Sequence, residues 1–427
     1  MRIKDWDQNL KVRLFGEALM NITFWMFFPF LTIYFADEFG KDKVGFLFIF
    51  SQLFSVFANL MGGYCADRYG RKKMMVLSAF GQGFSFLLFA LANIPGLSSP
   101  WLAFFSFTLV GIFSSFYWPA SQAMVADVVE EKHRSSVFAV FYTSINIAVV
   151  VGPILGAIFY ANYWNELLLV AGFSCMTLAF IFVKWTRETA PNQHKITSNE
   201  NEKWYSFLKN QLKDYQIIIK DKTFLLYILA GILVAQTFMQ LDLLIPVYTK
   251  EVIDQQTILS FGNCSLTVSG EQAFGILLSE NGFLVALFTV FVTKWMTKFR
   301  EQNVFILSSV TYAIAIYLFG QLEWIWGLIF AMLLFTVGEL MTAGIQQSFI
   351  SKIAPEQMRG QYFAAAILRF TIGRTIAPIS IPMTVWIGYD WTVAVLSLLS
   401  LLSGFLYWLM FKVYEGNRIR TIEKGSV

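Results

Sequence analysis

Apolar residues in this chain come in long runs, not in stripes. Runs near 14–36, 44–66, 74–94, 101–125, 137–160 and 166–185 are each bounded by short polar turns. After a polar break, six more fill 223–248, 273–293, 303–320, 324–350, 361–386 and 391–413. About twenty apolar residues, rising ~1.5 Å each, match a hydrocarbon core ~30 Å thick, so each run predicts a membrane-spanning helix. In lipid every backbone N–H and C=O must be paired within the segment, and a helix does this. The pattern predicts an all-α polytopic membrane protein with twelve transmembrane helices. Its organisation reads as an N-terminal six-helix bundle over 1–185, a linker over 186–222 and a C-terminal six-helix bundle over 223–427.

Composition agrees with that class. The 427 residues are 56% hydrophobic and only 14% charged, with 45 Phe, whereas soluble domains carry about 25% charged residues. The net charge of +4 calls for no nucleic-acid partner. Cys65, Cys175 and Cys264 have neither paired nor metal-ligand spacing. The first run lacks a small-residue cleavage site, so no signal peptide is expected. No phosphate-binding loop, zinc spacing or nucleophile triad is present, and neither an enzyme, a metal nor a cofactor is expected.

Charge fixes an expected orientation. Of the 32 Lys and Arg, 27 fall on one side of the spans; only Lys41, Lys43 and Lys250 fall on the other, and Arg369 and Arg374 lie within a span. The positive-inside rule then places both termini in the cytoplasm of a multi-pass, bacterial plasma-membrane protein. The linker carries His194 and an expected surface helix around 204–219, and His133 lies in a loop; neither histidine is expected to serve as a relay inside the membrane. Gln122, Arg134 and Pro153 are matched by Gln347, Arg359 and Pro378 at a constant offset of 225 residues. That repeat predicts two pseudo-symmetric bundles with substrate bound between them near the midplane.

The turn between the second and third spans reads GYCADRYGRKK, from Gly63 to Lys73. Gly63 and Gly70 suit close helix approach and an unusual turn, Asp67 can cap a neighbouring helix N-terminus, and Arg68, Arg71, Lys72 and Lys73 hold the loop in the cytoplasm. The pattern G-x-x-x-D-R-x-G-R-K-K resembles a loop of the major facilitator superfamily. The resemblance implies a latch in which Asp127, followed by Arg134, pairs with a basic residue of the turn. One departure stands out: many members have an Arg four residues before the glycine of span 4, and here Phe107 precedes Gly111. In span 5, Asn146, Gly152, Pro153 and Gly156 resemble the kinked motif of the drug:proton antiporter branch. Pro153 removes a helix hydrogen bond while the glycines admit a neighbour.

Acids inside spans are costly and mark function. Asp242 of span 7 falls in the outer third of the bilayer, and Glu339 of span 10 lies ~16 Å deep. Either carboxyl can carry a proton or attract a cation. Arg369, ~15 Å deep, is the expected partner of Glu339, and Arg374 can serve Asp242 or a substrate. Glu17 of span 1 has either a transport role or a local pairing with Arg13 four residues earlier. Gln52 and Asn59 suit interhelical bonding. The stretches NLKVRLFGEALMN, QLDLLIPV and GELMTAGIQQ resemble a lactococcal multidrug exporter, in which acids matching Asp242 and Glu339 serve proton coupling and cation recognition. What the resemblance implies is a secondary transporter that exports amphipathic cationic compounds in exchange for protons; a monomer in contact with membrane lipids is the default expectation. A lipid flippase or a proton-coupled nutrient symporter on the same fold is the alternative.

Overall fold

The computed structural model describes residues 3–190, 220–261, 264–354, 362 and 365–425. The expected linker helix, His194 and Arg359 lie outside the described residues, as does the side chain of Arg134.

Eleven helical stretches among the described residues are long and apolar enough to cross a membrane. One of them, Leu368–Gly416, has 49 residues, about 73 Å at ~1.5 Å per residue, more than twice the hydrocarbon thickness. It breaks at Gly388, whose φ of 81° takes it out of the helix, so it holds two crossings. The eleven stretches therefore give twelve spans. Phe105, Phe173, Phe180, Phe291, Trp391 and many other large apolar side chains stand exposed, as a lipid-solvated surface requires.

The chain divides into two compact units, residues 1–40 with 47–208, and 41–46 with 209–427. In unit 1 the helices are α1 (Gln8–Phe27) and α2 (Leu31–Phe39), separated by a 3-10 turn at Pro29, then α3 (Lys41–Tyr69), α4 (Arg71–Leu91), α5 (Pro100–Val128) and α6 (Glu131–Trp185), which bends at Tyr163. Helix α1 packs along α6, and α4 lies against α5 and α6. Starts are set locally: Asp7 caps α1, and Ser99 with Pro100 opens α5.

In unit 2, α7 (Lys222–Phe238) is capped by Asp221 and ends in a 3-10 turn, Met239–Leu241; α8 (Leu244–Val252) completes that span. Between α8 and the next helix the chain forms an antiparallel hairpin of β1 (Gln255–Phe261) and β2 (Cys264–Ser269). Gln256 pins it by donating to the carbonyl of Glu323 and accepting from the N–H of Ile325. A Ser269–Gln272 capping box starts α9 (Gly270–Met296). There follow α10 (Glu301–Phe319), α11 (Ile325–Ala343), α12 (Ile345–Ile353), α13 (Leu368–Ile376) and, after a 3-10 turn at Pro378, α14 (Ser380–Gly425). The core of unit 2 gathers Phe224, Tyr227, Phe305, Phe349, Tyr407 and Phe411.

Candidate functional site

Two breaks in the helices of unit 2 build its polar centre. Pro378 cannot donate a backbone hydrogen bond, and its span turns 3-10 at Ala377–Ile379. Opposite lies the 3-10 break at Met239–Leu241. Gln240, fully buried, joins the two: it accepts from Ser380 Oγ at 2.6 Å and donates to the Ala377 carbonyl at 3.4 Å. Asp242 follows directly, outside regular helix at φ −100°, ψ −6°. Its charge and that of Arg374 interact. Discontinuous helices of this kind, with unwound backbone beside a charged group, are where transporters bind ions.

Glu339, on α11, lies within electrostatic range of Asp242. Its Oε2 accepts from Asn281 Nδ2 at 3.0 Å, and the same amide donates to Thr336 Oγ1 at 3.0 Å. The expected Glu339–Arg369 pair is not formed. Arg369 donates instead to Gln346 Oε1 at 2.7 Å, with its guanidinium 5.1 Å from the Tyr227 ring and 4.7 Å from the Phe370 ring. It lies across Gly231, where an added Cβ would come 2.7 Å from Arg369 Cδ. Gln346 lies seven residues beyond Glu339, about 10 Å along a helix axis, so counting depth from the loop did not place Arg369 against Glu339.

Sequence reasoning passed over Glu280. It interrupts the apolar run of α9 next to Asn281, and its Oε2 is buried with no hydrogen-bond partner among the described residues. The signal was available, since it is the same signal that singled out Glu339.

In unit 1 the turn after α3 is held by ion pairs and one carboxylate. Arg71 reaches Asp67 at 2.7 Å and Asp127 at 3.1 Å, and it donates to the Ala66 carbonyl. Thr189 donates to Asp127 at 3.1 Å. Arg68 points away, to the Tyr64 hydroxyl. The anionic cap on α4 is Glu188, not Asp67. Its Oε1 accepts the N–H of Arg71 at 2.8 Å and of Lys72 at 3.3 Å, and those of Thr189 and Ala190. Gly70 has φ +105°, and a Cβ there would lie 2.3 Å from Glu188 Oε2. Gly63, expected to permit close approach, faces open space, whereas at Gly62 a Cβ would lie 3.0 Å from Pro119 Cγ. The close packing falls one residue earlier than the motif suggests.

On α6, Gly152 and Gly156 admit α1 beside the buried Pro153. Added Cβ atoms would lie 2.5 Å from Trp25 Cβ and 2.0 Å from the Met26 carbonyl. Asn146 is engaged on the same helix. Glu17 sits in a closed network: its Oε1 accepts from Arg13 Nε at 2.6 Å, Tyr117 OH at 2.7 Å and Ser121 Oγ at 3.1 Å. The local Arg13 pairing is therefore present, but deep inside the bundle. Among the described residues no group of three His, Cys, Asp or Glu is placed to hold a metal.

A family model described as Major Facilitator Superfamily matches residues 14–270 and 265–426. A Na(+), Li(+), K(+)/H(+) antiporter of Planococcus maritimus is 56% identical over 424 residues, 99% of this chain and 100% of that one. Multidrug resistance protein MdtH of Escherichia coli (strain SE11) is 22% identical over 368 residues, 85% and 83% of the two chains. Among solved structures, a POT family transporter in complex with 5-aminolevulinic acid superposes with a TM-score of 0.78 at 15% identity, covering 96% of this chain and 97% of that one. That likeness is one of fold alone.

Proposed function

Because the chain belongs to the Major Facilitator Superfamily and is a secondary transporter, not an enzyme, we propose that it exchanges protons for a monovalent alkali cation across the bacterial plasma membrane. The observation that supports this best is the pair Asp242 and Glu339, within electrostatic range in unit 2 of a chain 56% identical to a Na(+), Li(+), K(+)/H(+) antiporter. Two carboxylates and the Thr336 hydroxyl offer the hard oxygen ligands that an alkali ion prefers. A proton and a cation compete for the same carboxylates, and only the neutralised site crosses the low-dielectric interior cheaply. That competition couples the two flows. Arg374 lowers the demand for a second neutralising charge at Asp242. The unit acts as a monomer with both termini in the cytoplasm, and the Asp67–Arg71–Asp127 turn, with Gly70, Asn146, Gly152, Pro153 and Gly156, serves the rocking of the bundles.

The test is dissipation of a respiration-generated pH gradient in everted vesicles on adding NaCl, LiCl or KCl. Wild-type protein is expected to respond to at least one salt, and Asp242→Asn and Glu339→Gln to lose tenfold or more of that response. A wild type indifferent to all three salts sinks the reading.

A second reading is export of amphipathic organic cations in exchange for protons, supported by the likeness to MdtH. Inward accumulation of a nutrient, or lipid translocation without a proton gradient, would replace both.

A further inference from the structure

We propose that the lipid-facing side of α4 in unit 1 holds one anionic, two-chain glycerophospholipid, with its phosphate on Lys73 and an acyl chain on either side of Leu77. The proposal does not depend on which cation is exchanged. Two grooves run along α4 from its first turn. One, of about 340 Å³, is walled by Val76, Phe80 and Val183 and has Lys72 and Lys73 at its rim. The other, of about 390 Å³, is walled by Ser78, Phe113 and Phe116 and has Lys73 and Tyr69 at its rim. Lys73 and Leu77 belong to both grooves, so Leu77, 55% exposed, stands as a ridge between them with an ammonium at its head. One cation above two apolar troughs is the complement of one phosphate above two chains.

The charge of Lys73 is not spent within the protein. Arg68 is tied to the Tyr64 hydroxyl and Arg71 to Asp67 and Asp127, while Lys72 donates to the carbonyls of Val183 at 2.8 Å and Thr186 at 2.7 Å. Lys73 is exposed and makes no hydrogen bond or ion pair among the described residues. A lysine so placed at the end of a span draws an anionic headgroup. Neither groove has an Asp or Glu in its wall, so nothing there takes up the amine of a zwitterionic headgroup. Ser78 supplies an uncharged handle. It is fully buried, and its Oγ has no hydrogen-bond partner among the described residues. Ser85 on the same helix shows the ordinary arrangement, donating to the carbonyl four residues back. A buried hydroxyl left unpaired is costly, and an ester carbonyl of a lipid would accept from it. Ser78 lies five residues, ~7.5 Å, along α4 from Lys73. Phe113 packs deeper still, over Gly81, where an added Cβ would lie 2.5 Å from its ring. Ammonium, hydroxyl and ring thus follow the order of phosphate, ester and chain along a glycerophospholipid.

The experiment follows lipid adducts of the purified full-length protein by native mass spectrometry. The probes are dioleoylphosphatidylglycerol, dioleoylphosphatidylcholine and the one-chain oleoyl-lysophosphatidylglycerol. Wild type should hold one phosphatidylglycerol about fivefold tighter than phosphatidylcholine, and tighter than the lysolipid, which fills only one groove. Lys73→Gln should lose about fivefold for phosphatidylglycerol and with it the preference over phosphatidylcholine, whereas Lys73→Arg should keep both. Ser78→Ala should weaken the two diacyl lipids alike, by about fivefold. Lys298→Gln removes an exposed lysine that borders neither groove and should stay within twofold of wild type. Thermal midpoints without added lipid check that the variants fold, and phosphatidylglycerol should raise the midpoint less in Lys73→Gln than in wild type. Equal binding of phosphatidylglycerol and phosphatidylcholine by wild type overturns the site. So does an equal loss in Lys73→Gln and Lys298→Gln, the result that a merely basic surface would give. Lysolipid binding as tight as that of the diacyl lipid overturns the two-groove seat and the proposal with it.

Discussion

Glu188 shows how much one side chain outside the membrane can organise. Burial by itself raises a carboxyl's pKa, but hydrogen bonds from the N–H groups of Ala190, Lys72, Thr189 and Arg71 outweigh it and hold Glu188 below the ordinary glutamate range. A folded pKa below the unfolded one adds stability that is complete above the unfolded value. It disappears as pH falls through the lower, folded value. Glu188→Gln should therefore lower the melting midpoint at neutral pH, and the gap to wild type should close in strongly acid buffer. A pH-independent gap would mean that the side chain acts by packing alone. Nothing in the sequence announced this role, because Glu188 sits in a polar stretch 117 residues from Arg71. Glu280 is the opposite case, since an acid in an apolar run was visible and only its burial needed coordinates.

At the scale of elements, the turn after α3 and the paired helix breaks carry separable predictions. Gly70→Ala forces a Cβ onto a residue at φ +105° and into Glu188 Oε2, which should cost about 1–3 kcal/mol. Gly63→Ala meets nothing and replaces a helical glycine, so it should gain about 0.5–1 kcal/mol. Thermal unfolding in detergent compares the two, and equal effects would refute the geometry. In unit 2, Gln240→Leu leaves the buried Ser380 hydroxyl without its acceptor and should cost about 1–3 kcal/mol while slowing cation exchange, since Asp242 hangs from that joint. Unchanged exchange would separate the joint from the site. Most of the elements were legible: apolar runs gave the spans, and Pro29, Pro153 and Pro378 lie at or within bent or broken helices. What counting residues from a loop cannot supply is the relative depth of two packed helices. A rise of ~1.5 Å per residue put Arg369 level with Glu339, whereas Arg369 meets Gln346, seven residues further along, and Glu339 meets Asn281. The hairpin was equally hidden, because short polar strands leave no apolar run.

For the whole molecule the decisive quantity is which side of the membrane each connection faces. Between the Gly63–Lys73 turn and the β1–β2 hairpin the described residues make five crossings, namely Arg71–Leu91, Pro100–Val128, Thr143–Tyr160, Asn162–Trp185 and Lys222–Val252. An odd number puts turn and hairpin on opposite sides whatever the orientation. The distribution of Lys and Arg argues for one of the two orientations: 27 accompany the turn and 3 the hairpin side, and the positive-inside rule then predicts a cytoplasmic turn. Both steps are open to one experiment. In a variant whose Cys65, Cys175 and Cys264 are replaced by alanine, single cysteines are introduced by Lys73→Cys and by Ser265→Cys, both exposed positions. A membrane-impermeant maleimide applied to intact cells should label the Ser265→Cys protein at once and the Lys73→Cys protein only after permeabilisation. The reverse pattern would preserve the five crossings and overturn the orientation. Labelling of both from outside would overturn the crossing count itself, and Asp242 and Glu339 would then need a different path to the two aqueous phases.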